Sequence, residues 1–216
     1  MMLSLLYEIR ILYVGAHPDD IELGAAGSII KDNTYSPVVK QYVVTFSKCG
    51  VDSGLSFTAE ELVEDMKNSM KVVGIPWENV TMFDFPNTKL PEHAYEIRTE
   101  LERLRDMYQP DIIYFHSEHD PHQDHVAVAH ACMRAFRRGE ELRCYEVNSL
   151  MSEFEPNLYI NIGKQMDKKV EALMCYSTQL ARRNYHEDYW RAKALLRGNS
   201  VGLEYAEAFE ILRRLE

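Results

Sequence analysis

Short runs of apolar, β-branched and aromatic residues alternate with longer amphipathic stretches along most of the 216-residue chain. The short runs predict strands at Ile9–Val14, Val38–Phe46, Val80–Phe83, Asp111–Phe115, Leu142–Val147 and Leu158–Ile162. The stretches between them have apolar residues at helical spacing and predict helices of about ten to fifteen residues. Together they predict an α/β fold, a Rossmann-like three-layer sandwich with a mostly parallel sheet.

Helix-start and helix-stop residues set the expected helix boundaries. Thr58 and Glu61 form a capping-box pattern at the start of a helix that ends near Gly74. Further helices are predicted over Ile21–Lys31, from Pro91 to before Pro110, over His125–Arg138 with Gly139 as the stop, and through most of the chain after Lys164. A glycine-punctuated loop is predicted over Cys49–Ser56.

Length and composition favour one globular domain over residues 1–216, with 46% hydrophobic and 27% charged residues. The net charge of −10 and the lack of a long basic run argue against nucleic acid as a partner. No 18-residue apolar window or signal-peptide pattern occurs, so we expect a cytoplasmic protein without membrane contact. The four cysteines lack C-x-x-C spacing and are expected to be reduced thiols. The sequence leaves open whether the protein forms a homo-oligomer.

The first candidate for chemistry is Ala16–Asp20, which reads Ala-His-Pro-Asp-Asp directly after the first strand. In a tight turn His17 and one aspartate can face one point, while the other aspartate takes a proton from metal-activated water. The alternative is a helix cap, in which Asp19 or Asp20 only caps the helix from Ile21.

The second candidate is His119–His125, which reads His-Asp-Pro-His-Gln-Asp-His after a later strand. Four of the eight histidines lie within ten residues here, at His116, His119, His122 and His125. We expect His116 and His119 to be loop residues or to lie behind the ligands. His93, His130 and His186 are expected to have no catalytic role. Ligands bind beyond the carboxyl ends of parallel strands, where both candidate segments fall.

A site built from His17, Asp20 and one histidine of the later cluster has two imidazoles and one carboxylate. This set leaves positions open for water and substrate and suits catalytic Zn²⁺, although Fe²⁺ uses the same ligands. The turn after the first strand lacks G-x-G-x-x-G, and its aspartates would repel a pyrophosphate, so a dinucleotide site is excluded. No G-x-S-x-G pattern supports a serine nucleophile.

The chain resembles the LmbE/PIG-L family of zinc-dependent N-deacetylases. The residues that carry this resemblance are Ala16–Asp20, Gly24, Gly27 and His122–His125. Two looser likenesses, Tyr176–Gln179 and Tyr205–Phe209, extend the resemblance over nearly the whole chain.

The resemblance implies that His17, Asp20 and His125 bind zinc. Asp19 would be the general base and then the acid to the leaving amine. His122, held by Asp124, would stabilise the oxyanion or donate a proton. The implied reaction is removal of acetate from a small N-acetylated amino sugar or its conjugate.

The chain also differs from the family. No arginine occurs between Arg10 and Arg98, and Asp120 stands where some members have tyrosine. Local basic residues such as Arg182, Arg183 and Lys193 could meet an anionic group of the substrate. Two other functions stay open: a metal-dependent phosphoester hydrolase and a non-catalytic metal-binding protein.

Overall fold

The computed structural model describes residues 8–36, 38–48, 57–147, 153–183 and 186–214. The strands are β1 Ile9–Gly15, β2 Val39–Thr45, β3 Val80–Met82, β4 Ile112–His116, β5 Glu141–Tyr145, β6 Leu158–Asn161 and β7 Ala206–Arg213. The helices are α1 Asp20–Tyr35, α2 Ala59–Val73, α3 Ala94–Tyr108, α4 Gln123–Ala135, α5 Met166–Met174, α6 Ser177–Arg183 and α7 Glu187–Asn199.

The strands form one seven-stranded sheet in the order β3-β2-β1-β4-β5-β7-β6. The first five are parallel, and β7 pairs antiparallel with both β5 and β6. The chain runs outward from β1 through β2 to β3 and then returns to place β4 on the other side of β1. This reversal makes the crevice beyond the carboxyl ends of β1 and β4 the expected ligand position.

Alternating side chains of the central strands pack against helices on both faces of the sheet. Leu12 and Val14 belong to a core that includes apolar residues of α3 and α4, whereas Ile11 and Tyr13 face a core built with α1, α2 and α5. The predicted mostly parallel α/β architecture with helices on both faces is confirmed.

Two glycines let helix α1 lie close to its neighbours. A Cβ at Gly24 would come within 2.5 Å of the Tyr145 ring, and one at Gly27 within 2.7 Å of the Ile162 side chain. Such distances are too short for any larger residue, so both glycines fix the position of α1, which begins at the candidate site.

The capping box predicted for α2 is confirmed. The Glu61 N–H donates to Thr58 Oγ1, and the Thr58 N–H donates to the Glu61 carboxylate. Gly74 ends this helix in the left-handed region, with φ of 85°.

Several predicted boundaries differ from the structure: helix α1 runs to Tyr35 rather than Lys31, and α3 begins at Ala94, after a 3-10 turn, rather than at Pro91. The segment Ala206–Arg213, predicted to be helical, is strand β7 because it fills the position between β5 and β6. Helix α4 ends at Ala135 rather than Arg138, since Phe136 leaves the helical conformation and is fully buried.

The predicted loop Cys49–Ser56 lies outside the described residues, together with Cys49. Cys132, Cys144 and Cys175 are free thiols. Across the described ranges, every helix is too short or too polar to cross a membrane.

Candidate active site and metal centre

The turn after β1 is closed by Asp20. Its Oδ2 accepts the N–H groups of Ala16 and His17, at 3.0 and 2.8 Å. Asp19 occupies the N-cap position of α1, but its side chain makes no cap hydrogen bond. Its φ of 88° places it in the left-handed region, which costs an L-residue free energy. The helix-cap alternative is therefore wrong for both aspartates, and strain is concentrated at Asp19.

The second cluster begins on the strand next to β1. His116 is the last residue of β4 and is fully buried beside Asp20, so of the two expected positions it lies behind the ligands and not in a loop. His122 caps α4, because its ring Nδ1 accepts the backbone N–H of Asp124 at 3.2 Å. The backbone N–H of His122 donates to Asp120 Oδ1 at 2.8 Å. Because Nδ1 is an acceptor, the proton of the neutral imidazole is on Nε2.

Two imidazoles and one carboxylate from the two clusters come close together in a buried place. His125 Nε2 lies 3.3 Å from His17 Nδ1 and 3.4 Å from Asp20 Oδ1, and His17 Nδ1 lies 3.5 Å from Asp20 Oδ2. All three side chains are less than a tenth exposed. The structure thus brings His17, Asp20 and His125 together, although 108 residues separate the two histidines in sequence.

Each imidazole is backed by a carboxylate on its other nitrogen. Asp124 Oδ2 lies 3.0 Å from His17 Nε2, and Asp120 Oδ1 lies 3.0 Å from His125 Nδ1. A carboxylate at this position holds the proton on the nitrogen it faces and leaves the opposite nitrogen unprotonated. His17 Nδ1 and His125 Nε2 therefore face each other beside the Asp20 carboxylate, and these three groups are suited to hold a metal ion.

Electrostatics agree with this conclusion. Burial disfavours charge on His125, yet the carboxylates of Asp20 and Asp120 raise its pKa to about 9. Asp20 is also buried, but the neighbouring His125 and His116 hold its pKa well below its usual range. The site therefore favours positive charge beside Asp20.

The ligand spacing fits a first-row divalent ion. Ligand atoms about 2.0–2.2 Å from a tetrahedral centre lie about 3.3–3.6 Å from one another. Two overlapping sets of side chains in the described residues also have metal-ligand spacing: one comprises His17, His122 and His125, the other Asp20, His116 and His125.

Hydrogen bonding makes both of these alternative ligand sets less favourable for a metal. The proton that the cap places on His122 Nε2 blocks ligation through that nitrogen. His116 Nε2 lies within hydrogen-bond distance of the Ala16 N–H, at 3.1 Å, and of Asp20 Oδ2, at 3.2 Å, so it is used within the turn.

The two remaining histidines of the centre are neutral. Burial and the neighbouring His125 lower the pKa of His116 to about 4. Burial, with His125 and His17, also lowers the pKa of His122. A charged His122, one of the two forms expected from the sequence, is therefore disfavoured.

One predicted pairing was wrong. The carboxylate of Asp124 holds His17 rather than His122, and it also accepts the N–H groups of Thr88 and Leu90 at 2.8 and 3.1 Å. These contacts outweigh the cost of burial and lower the pKa of Asp124. Asp124 therefore links the β1 turn to the loop that follows β3.

The sequence prediction missed two contributors: Asp120 behind His125, and Tyr176 against Asp19. The crowding of histidines and aspartates around residue 120 was a usable signal for the first. The exposed side chains of His119, His130 and His186 contribute nothing to this centre.

Comparison with known proteins identifies the family. The profile of the PIG-L family, described as GlcNAc-PI de-N-acetylase, matches residues 12–136, and the chain belongs to this family. The predicted family is confirmed, and with it the class of enzyme, a deacetylase that hydrolyses an amide.

Individual relatives cover most of the chain. The diacetylchitobiose deacetylase of Thermococcus kodakarensis is 24% identical over 225 residues, covering 94% of this chain and 83% of the relative. The N,N'-diacetylchitobiose deacetylase structure from Pyrococcus horikoshii has a TM-score of 0.77 at 19% identity, covering 94% and 83% of the two chains. The structure of GalB, the 4-carboxy-2-hydroxymuconate hydratase from Pseudomonas putida, has a TM-score of 0.79 at 20% identity, covering 96% and 98%. The fold therefore also carries a hydratase.

Proposed function

We propose that this protein is a Zn²⁺-dependent de-N-acetylase that releases acetate from a small N-acetylated amino sugar or its conjugate. The observation that carries the proposal is the meeting of His17 Nδ1, His125 Nε2 and the Asp20 carboxylate at 3.3–3.5 Å. These three residues would hold the metal. Two imidazoles and a carboxylate are a ligand set of catalytic zinc, and Fe²⁺ accepts the same set.

When bound, zinc supplies a Lewis acid that polarises a carbonyl and lowers the pKa of water to about 7. Asp19 is the residue placed to accept the proton of the attacking water. It is 4% exposed and directly precedes Asp20, one of the three proposed ligands. The same carboxyl group then returns the proton to the amine as the C–N bond breaks, which completes a general base and general acid cycle.

His122 is the residue suited to the developing oxyanion. Its cap hydrogen bond through Nδ1 leaves Nε2–H as a fixed donor, and its ring lies 4.9 Å from that of His17. A neutral N–H donor stabilises an oxyanion without requiring a charged imidazole. Asp124 acts through His17, whose ring it orients.

The substrate class rests on the family and on charge. The matched family is described as a GlcNAc-PI de-N-acetylase, and two of the three proteins named above are diacetylchitobiose deacetylases. A net charge of −10 disfavours polyanionic polymers. Lys193, one of the basic residues considered for anion binding, is unavailable because its ammonium group donates to the carbonyls of Glu146 and Val147.

The test is an assay of the purified protein on a panel of soluble N-acetylglucosamine conjugates, with the bound metal measured in the same preparation. Acetate and free amine should form in equal amounts and disappear on chelation. Metal-dependent phosphate release from a phosphoester panel, without amine, would support the phosphohydrolase alternative instead. Bound metal with no turnover on either panel would support the non-catalytic alternative.

A further inference from the structure

The late segment Tyr176–Gln179 lies behind the N-terminal end of α1. Tyr176 is 1% exposed, and its hydroxyl makes two hydrogen bonds to the site. It accepts the backbone N–H of Asp19 at 3.1 Å and donates to Glu22 Oε1 at 2.5 Å. A tyrosine 157 residues away in sequence therefore binds the backbone of the proposed base.

The segment is anchored independently of the site. Asp65 of α2 accepts hydrogen bonds from Ser177 Oγ at 3.1 Å, from Thr178 Oγ1 at 2.6 Å and from the Thr178 N–H at 3.0 Å. These contacts fix the start of α6 against α2. The Tyr176 ring is therefore held by elements that carry no proposed ligand or catalytic group.

Asp19 needs such support because of its backbone. A left-handed φ of 88° is unfavourable for aspartate and persists only where surrounding contacts enforce it. The Asp19 carbonyl accepts the Leu23 N–H at 2.9 Å, within α1. The backbone N–H of Asp19 donates to the Tyr176 hydroxyl, so both backbone polar groups of Asp19 are hydrogen-bonded.

Glu22 determines which way the hydroxyl points. A tyrosine hydroxyl has one proton to donate and lone pairs to accept with. Because the proton is donated to the fully buried Glu22 carboxyl, a lone pair of Tyr176 faces the Asp19 N–H. The three groups form one directed chain from Asp19 through Tyr176 to Glu22.

We propose that Tyr176 is a positioning residue for Asp19, and that Glu22 orients its hydroxyl. This inference rests on the proposed function only in taking Asp19 as the base. It gives the late Tyr-Ser-Thr-Gln segment a role: Ser177 and Thr178 anchor it, and Tyr176 holds the strained turn in its active conformation.

The experiment compares Tyr176→Phe with Tyr13→Phe in the metal-loaded protein. Tyr13 is equally buried, and its hydroxyl has no hydrogen-bond partner within the described ranges, so it controls for loss of a buried hydroxyl. Tyr176→Phe should lower kcat about three- to tenfold, the effect of about one hydrogen bond, with KM and metal content nearly unchanged. Tyr13→Phe should change neither kcat nor KM.

A second readout needs no substrate. In amide hydrogen exchange followed by NMR, the Asp19 N–H should lose protection in Tyr176→Phe and keep it in Tyr13→Phe. If the wild-type protein turns over no substrate, the proposed function fails, while the exchange measurement still tests the positioning role.

Two substitutions of Glu22, one disruptive and one conservative, test the orientation of the Tyr176 hydroxyl. Glu22→Met removes the acceptor of the Tyr176 proton and should lower kcat and Asp19 protection as Tyr176→Phe does. Glu22→Gln keeps an acceptor oxygen and should recover most of both. Unchanged Asp19 exchange in Tyr176→Phe and Glu22→Met would overturn the inference. It would also be overturned if both variants lost metal together with turnover, because Tyr176 would then support the metal site as a whole.

Discussion

Buried charged groups from other parts of the chain meet helix α1 at two places, and the two places differ in how those charges are partnered. At its middle, the Glu207 carboxylate accepts the N–H groups of Gly27 and Ser28, both at 2.8 Å, and pairs with the Lys169 ammonium at 2.6 Å. Lys169 also donates to the Leu23 carbonyl at 3.0 Å. Both charges are thus met by an opposite charge and by further hydrogen bonds.

At the N-terminal end of the same helix, acceptors face acceptors. His17 Nδ1, His125 Nε2 and the Asp20 carboxylate converge, and the adjacent Asp19 has a strained backbone. Burial and charge alone therefore do not distinguish a functional site from a structural ion pair. The distinguishing features are potential metal ligands that face one another and a strained backbone at the adjacent Asp19.

The largest expected effect is the loss of metal in His125→Ala. Removing one of three ligands should take bound zinc from about one per chain to nearly none, and turnover should fall with it. Metal analysis after dialysis measures this. Lys169→Met, at the other charged place on α1, is the matched control and should keep its metal. Equal zinc content in His125→Ala and wild type would show that the ligand assignment is wrong.

Asp19→Asn should separate chemistry from metal binding. The substitution keeps the size of the side chain and removes the base, so turnover should fall by roughly 10²–10⁴-fold while zinc stays bound. Steady-state kinetics with metal analysis on the same sample checks both. Unchanged turnover would contradict the assignment, and loss of zinc would instead make Asp19 a ligand.

Lys169→Met should have the opposite pattern, with a loss of stability and little change in kcat. Removing one partner of a buried pair leaves Glu207 uncompensated and should lower the free energy of unfolding by about 3 kcal/mol. Denaturant unfolding of the metal-free protein measures this. A large fall in kcat without a fall in stability would contradict the proposed difference between the Lys169–Glu207 pair and the candidate metal centre.

A smaller effect is expected for Asp124→Asn. The amide has one oxygen to serve His17 Nε2 and the Thr88 and Leu90 N–H groups, so the ring of His17 should be held less firmly. Zinc affinity should fall about 10–100-fold, with the fold retained. Competition with a chelator of known affinity gives the value. Wild-type affinity would mean that Asp124 does not orient the ligand.

Local signals in the sequence predicted much of the fold. The alternation of apolar runs gave six of the described strands, and Thr58 with Glu61 located the start of α2. Strand β7 was missed because Ala206–Arg213 is rich in alanine, glutamate and leucine, which favour helix. Pairing with β5 and β6 overrides that propensity.

The candidate site was predictable to the extent that its residues are close in sequence. Asp124 was assigned to His122 because the two are near neighbours. Residues two apart on a helix do not face each other, and Asp124 turns instead toward His17. Tyr176 could not be assigned to Asp19, since only the folded chain brings the late segment onto the start of α1.

The most direct test of the central claim is anomalous X-ray scattering at the zinc absorption edge, from crystals of the zinc-loaded protein. One peak is expected within about 2.0–2.3 Å of His17 Nδ1, the Asp20 carboxylate and His125 Nε2. His116 and His122 should lie beyond bonding distance of it. A peak bonded to His116 or His122, or none at this sheet edge, would contradict the proposed metal centre.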